Sequence, residues 1–210
     1  MIEGTQLAAM VASKICHDLV EPIGALVQGL EFAKGGDAAM REDAMAMIDQ
    51  GVQKAWAKLD FYRFAVAGAM AEGEGELDEG RETAERLYSA LRPELIWSAP
   101  SVRLPKRATR VVLNLLLIAN ECLPRGGAVE VSAAGDGAIT IAATGPRAAL
   151  RPATAAALRG EAPSDGYSGP VAQPLLTGIL ARQAGVELSA RESEERVELV
   201  ARAAAIRLAA

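Results

Sequence analysis

From Leu7 to Leu30 the chain carries apolar residues at positions 7, 11, 15, 19, 23, 26 and 30. At about 100° per residue these fall on one stripe of an α-helix, so residues 4–34 must fold against another element to bury them. Pro22 is accommodated within that helix as a local kink. Gly35-Gly36 ends it, and Asp37 is a natural N-cap for a second helix over residues 38–70. There Met40, Ala44, Met47, Ile48, Val52, Ala55, Leu59, Tyr62 and Val66 supply another apolar face. Two such helices joined by a turn make an antiparallel hairpin, which alone leaves half of its stripe uncovered. A second copy is therefore expected to close a homodimeric four-helix bundle by two-fold symmetry.

The single histidine of the 210 residues, His17, lies on the first helix. It sits roughly 170° from the centre of the stripe and should face water or a partner. A free imidazole is about half protonated near pH 6.5, so a neutral cytoplasm leaves mostly nucleophilic ring nitrogen. Phosphoryl transfer needs little beyond an exposed nucleophile held in line with phosphorus and positive charge around the moving oxygens. From periodicity alone a merely solvated histidine is the commoner outcome. No second His and no Cys pair stands at metal-ligand spacing.

The formal net charge of −5, with no Lys/Arg block, disfavours direct nucleic-acid binding. The N-terminus lacks a secretory signal, and the longest apolar stretch, residues 111–119, is too short to span a bilayer. A soluble cytoplasmic protein without membrane attachment is expected. Cys16 and Cys122 form no CxxC motif, and Cys16 points about 100° from His17 on the helix, which reads as packing rather than a Cys-His pair.

Residues 71–80 are acidic and glycine-rich and read as a linker between a domain at 1–71 and another at 81–205. Beyond it the pattern is mixed α/β, which makes the fold class α+β. Helices are expected over 81–91, 106–123, 147–158 and 171–184. Strands are expected over 95–97, 129–133, 139–142, 186–190 and 196–203, with Gly135-Asp136-Gly137 as a hairpin turn.

Read together, H-D-L-V-E-P at residues 17–22 resembles the phosphoacceptor motif of histidine kinase dimerisation domains, H-(D/E)-L-x-x-P. The longer string S-K-I-C-H-D-L-V-E-P-I-G-A-L-V-Q-G-L-E is more specifically similar to the ChpT-type histidine phosphotransferases of alphaproteobacteria. The order of elements after the linker resembles the ATP-binding domain of histidine kinases, an α/β sandwich of the Bergerat type.

Measured against that resemblance, the nucleotide boxes are degraded. In N-L-L-L-I-A-N-E, Asn114 matches the first asparagine of the kinase N-box. Ile118 stands where the magnesium-binding asparagine belongs, and Glu121 replaces a basic residue. Ala143 replaces the aspartate that recognises adenine, and Arg147 the second glycine of D-x-G-x-G. Pro170 and Pro174 remove backbone donors that a phosphate cradle would use. Glu21 stands where phosphatase-competent kinases resemble H-E-x-x-(T/N), so water-directed dephosphorylation is disfavoured.

The resemblance implies a phosphotransferase that is not an ATP-dependent kinase. His17 would take a phosphoryl group from the receiver aspartate of a hybrid kinase and pass it to response regulators, CtrA- and CpdR-like by resemblance. No cofactor is expected in this chain, because the receiver brings the Mg²⁺. Asp18 either accepts a hydrogen bond from the imidazole or is a solvated helix acid. The receiver should dock on the face around His17, at Lys14, Val20, Glu21, Gly24 and Gln28. Counting back from the turn adds Lys54 and Lys58 as candidates near a phosphorylated ring, unless they are ordinary solvated lysines. A receiver-binding scaffold without chemistry and a divergent kinase are the rival readings.

Overall fold

The computed structural model describes residues 2–35, 37–67, 73–134, 137–162 and 166–203. Helix α1 (Gly4–Gly35) and helix α2 (Ala38–Tyr62) form the hairpin. The Asp37 carboxylate accepts from the Met40 N–H at 3.0 Å and caps α2 as its position suggests. The helices pack closely because a glycine on each receives a large apolar side chain of the other. A Cβ built on Gly51 would lie 2.7 Å from Leu26 Cδ2, and one on Gly29 would lie 2.8 Å from Ile48 Cγ1.

Helix α1 is assigned without a break through Pro22. Proline has no N–H to give to the carbonyl four residues back, which here is Asp18. The Lys58 ammonium takes that acceptor at 2.8 Å. A side chain of α2 thus satisfies the backbone group that the motif's own proline orphans, an interaction in the range of about 2 kcal/mol.

Within one chain most of the apolar stripe of α1 is covered: Val11 is buried and Leu7, Ile15, Leu19 and Leu26 are half-buried, while Ile23 and Leu30 are exposed. Val20, Ile23, Val27 and Leu30, spaced 3-4-3, and Met45, Val52, Trp56 and Leu59 on α2 are between 49% and 67% exposed. This is a second heptad-like seam facing outward. Cys16 lies at its end and is exposed rather than packed.

Helix α2 ends at Tyr62, earlier than periodicity suggests, and passes into a π-helical turn over Arg63–Ala67; residues 68–70 of the expected helix lie outside the described residues. The acidic stretch read as a linker is structured at its end. Strand β1 (Glu74–Glu76) pairs antiparallel with β3 (Arg103–Pro105), and helix α3 (Leu77–Tyr88) starts directly after it. Leu77 is completely buried, so Asp78 and Glu79 are first-turn acids of a helix rather than linker charge.

The C-terminal half is built on a five-stranded sheet of order β2-β4-β5-β7-β6. Its strands are β2 (Glu94–Trp97), β4 (Ala128–Ala133), β5 (Ala138–Thr144), β6 (Val186–Ser193) and β7 (Arg196–Ala203). β2 runs parallel to β4, and the other neighbours are antiparallel. Alternating Val129/Val131, Ile139/Ile141/Ala143 and Val197/Leu199/Ala201 face one core with α4 (Lys106–Glu121), as period-two alternation requires. The residues of the β4–β5 turn, 135–136, lie outside the described ones.

The helix expected from residue 147 begins instead at Pro152, as α5 (Pro152–Arg159). Proline disfavours helical backbone at the residue before it, and Arg151 is extended at ψ 136°. Arg147 has φ 61°, so the position resembling a motif glycine keeps a glycine-like backbone with an arginine on it. A 3-10 turn (Gly169–Val171) leads into α6 (Ala172–Ala184).

The hairpin joins the C-terminal half by apolar packing, with Phe61 and Ala65 in the main core and Leu7 and Met10 against Val171 and Leu175, and by hydrogen bonds from α4 to the π-helical turn. Fully buried Asn114 donates to Ala65 O at 2.8 Å, and Arg110 donates to Val66 O at 2.8 Å. Gln173 of α6 closes onto the Asn114 carbonyl. Asp60, also buried, receives Arg63 at 2.9 Å and Arg86 of α3 at 3.0 Å.

Candidate functional site

His17 projects from α1 with 86% of its side chain exposed. Its Nδ1 lies 3.2 Å from Asp18 Oδ1. Asp18 is far less free than its ring neighbour. Lys14 Nζ reaches it at 3.0 Å, and the Tyr62 hydroxyl donates to Oδ2. Lys14 also meets Glu121, at the end of α4, at 3.0 Å. A four-member chain therefore runs from the C-terminal half to the histidine through Glu121, Lys14, Asp18 and His17, with Tyr62 bracing the carboxylate from α2.

The electrostatics follow from that geometry. Burial alone would raise the Asp18 carboxyl, but hydrogen bonds from Tyr62 and Lys14 outweigh it and hold the group below the usual carboxylate range. Burial would lower Lys14, and the charge of Glu121 together with Asp18 raises it instead. Burial first, and then Asp18, push the Tyr62 hydroxyl far above an ordinary phenol, so it remains a donor. A depressed folded-state carboxyl contributes stability that is present above its unfolded value and is lost as pH falls through the folded one. The stability difference between wild type and Asp18→Asn is thus expected to be constant from about pH 4 up to the alkaline range in which Lys14 loses its proton, and to close below about pH 4. Urea unfolding across pH measures this.

The other residues singled out from sequence divide into groups. Glu21, Gly24 and Gln28 are exposed and lie within about 40° of His17 around α1. A Cβ on Gly24 would meet nothing within 4 Å, so no contact inside the chain requires glycine there. Val20 is 67% exposed and belongs to the outward seam with Ile23 and Val27. Lys14 is engaged by two carboxylates rather than free. Lys58, besides holding Asp18 O, reaches Glu21 at 3.4 Å. Lys54 is not brought to the site. It lines a separate cavity of 430 Å³ with Asp49, Trp56 and Arg86. Lys54 shares the face of Lys58 but stands one turn away along α2, and Asp18 lies level with Lys58 and Tyr62.

Three site residues escaped sequence reasoning. Tyr62 reads as one more apolar-face position, and its polar end becomes visible only once α1 lies beside it. Glu121 reads only as a lost basic residue. Arg151 lines, with Lys14, His17, Glu121, Gly169 and Pro170, a 330 Å³ cavity beside the histidine. No local pattern links residues 17 and 151.

Residues 77–196 match the family described as "Histidine phosphotransferase C-terminal domain". The whole chain is 33% identical over 201 residues to protein phosphotransferase ChpT of Brucella abortus (strain 2308), covering 93% of this chain and 95% of that one. The chain belongs to the ChpT-like histidine phosphotransferase family. A solved structure of a bacterial phosphotransferase, 32% identical, superposes with a TM-score of 0.85 over 96% of this chain and 98% of that one. By homology this family member is a protein phosphotransferase. Among the described residues no helix is long and apolar enough to cross a membrane.

Proposed function

We propose that this histidine phosphotransferase is a relay intermediate. His17 accepts a phosphoryl group from the receiver aspartate of a hybrid kinase and donates it to the aspartate of a response regulator. The observation that carries this reading is the 86% exposed imidazole whose Nδ1 faces Asp18. Exposure lets another protein's acyl phosphate approach in line, and the carboxylate favours one tautomer. Arg151 adds positive charge at the rim of the adjoining cavity, where phosphoryl oxygens would gather. Glu21, Gly24 and Gln28 continue the docking face along α1. The outward apolar seam supports a homodimer with two acceptor sites, and the protein works in the cytoplasm.

The site environment supports transfer without ATP. Ile118 and Ala143, which stand where magnesium-binding and adenine-reading side chains belong, are completely buried core residues. Asn114 spends its amide on Ala65 O and Arg110 O. Glu121 is bound to Lys14 rather than available to a nucleotide.

The test mixes the protein with a receiver domain carrying labelled phosphate and, separately, with labelled ATP. Label should move from the receiver in the first mixture, and no self-labelling should occur in the second. Binding of the receiver without movement of label would instead favour the scaffold reading. Self-labelling from ATP would favour a divergent kinase.

A further inference from the structure

The Tyr62 hydroxyl belongs to no part of the motif, yet it is the α2 side chain that closes on the carboxylate beside the acceptor histidine. We propose that Tyr62 is a positioning residue for phosphoryl transfer, fixing the Asp18 carboxylate so that Oδ1 receives the Nδ1–H of His17 and Nε2 is left to attack. This rests on the relay reading above and adds to it the residue that sets which ring nitrogen reacts.

Asp18 has two oxygens. Oδ2 accepts from Tyr62 and from Lys14 at 3.0 Å, while Oδ1 faces His17 Nδ1 at 3.2 Å and Lys14 at 3.2 Å. A carboxylate on an exposed helix ordinarily rotates among several orientations. Here the ammonium bridges both oxygens, and the phenol, which takes Oδ2 alone, holds that oxygen away from the histidine and thereby aims the other at it. Tyr62 is itself buried, at 5% exposure, and it sits at the last residue of α2, immediately before the π-helical turn whose Ala65 and Val66 carbonyls are held by α4. Its hydroxyl is therefore fixed by the fold rather than by the histidine it serves.

In the transfer step the Nε2 lone pair forms the P–N bond. The P–O bond of the donor's acyl phosphate breaks, and the donor carboxylate leaves with its electron pair. The ring gains positive charge while keeping its Nδ1 proton, which faces the negative charge of Asp18. A misdirected Asp18 would leave the neutral ring divided between tautomers, and the fraction with a free Nε2 would fall.

Because His17 is the only histidine, ¹⁵N-histidine labelling gives one imidazole whose two nitrogen shifts report the tautomer directly. Tyr62→Phe keeps the packed ring and removes only the hydroxyl. It is expected to shift the neutral ring away from the Nδ1–H form and to slow phosphoryl uptake from a receiver roughly fivefold. Asp18→Asn should do the same, and in that background Tyr62→Phe should have no further effect on rate, since it acts through the carboxylate. Unchanged nitrogen shifts in Tyr62→Phe, or rate effects of the two substitutions that multiply, would overturn the proposal. A wild-type protein that takes up no label from any receiver overturns the relay reading instead.

Discussion

A His17→Ala variant mixed with a phosphorylated receiver domain is expected to acquire no label, a fall of at least about a thousandfold in uptake. No other imidazole exists in the sequence to substitute for it. The nearby carboxylates of Asp18 and Glu21 are poor replacements. Asp18 is engaged by Lys14 and Tyr62, and Glu21 is paired with Lys58. The substitution should leave the fold intact, because the ring is 86% exposed and its polar contact among the described residues is to Asp18. Thermal unfolding within a few degrees of wild type, together with retained receiver binding, separates lost chemistry from lost structure. Label on the alanine variant would mean that the phosphoryl group travels by another residue.

The second large effect is expected at the outward seam. Val27, 52% exposed, lies between Ile23 and Leu30 on the seam of α1, opposite in sequence pattern to Val52, Trp56 and Leu59 on α2. In a two-fold bundle Val27→Asp would bury two carboxylates without partners, each costing several kcal/mol. If the proposed dimer forms through this seam, its dissociation constant should rise by at least about a hundredfold, and sedimentation at micromolar concentration should move from twice the chain mass to the chain mass. Helical content should also fall, since the hairpin would lose the proposed cover of its outward seam. A variant with the oligomeric state of wild type would show that this seam is covered by something else. His17 points about 100° away from the seam, so any monomer that stays folded should still accept label.

Periodicity in one chain segment was enough to place the long helices, the face that carries His17, the N-cap at Asp37 and most strands of the C-terminal sheet. Each depends on spacing along the chain, and α-helix and strand geometry convert spacing into direction without reference to neighbours. The motif around His17 was legible for the same reason. What failed was non-local. The strand at residues 74–76 exists because Arg103–Pro105 pairs with it, and nothing in an acidic glycine-rich stretch announces that partner. The choice of Lys58 over Lys54 was decided by the level at which α2 lies along α1, which the close approaches at Gly29 and Gly51 fix rather than the lysines themselves. Tyr62, Glu121 and Arg151 reach the histidine from three different elements. Their convergence is a property of packed helices and not of any one of them, so only the tertiary structure assembled the site whose nucleophile the sequence had already marked.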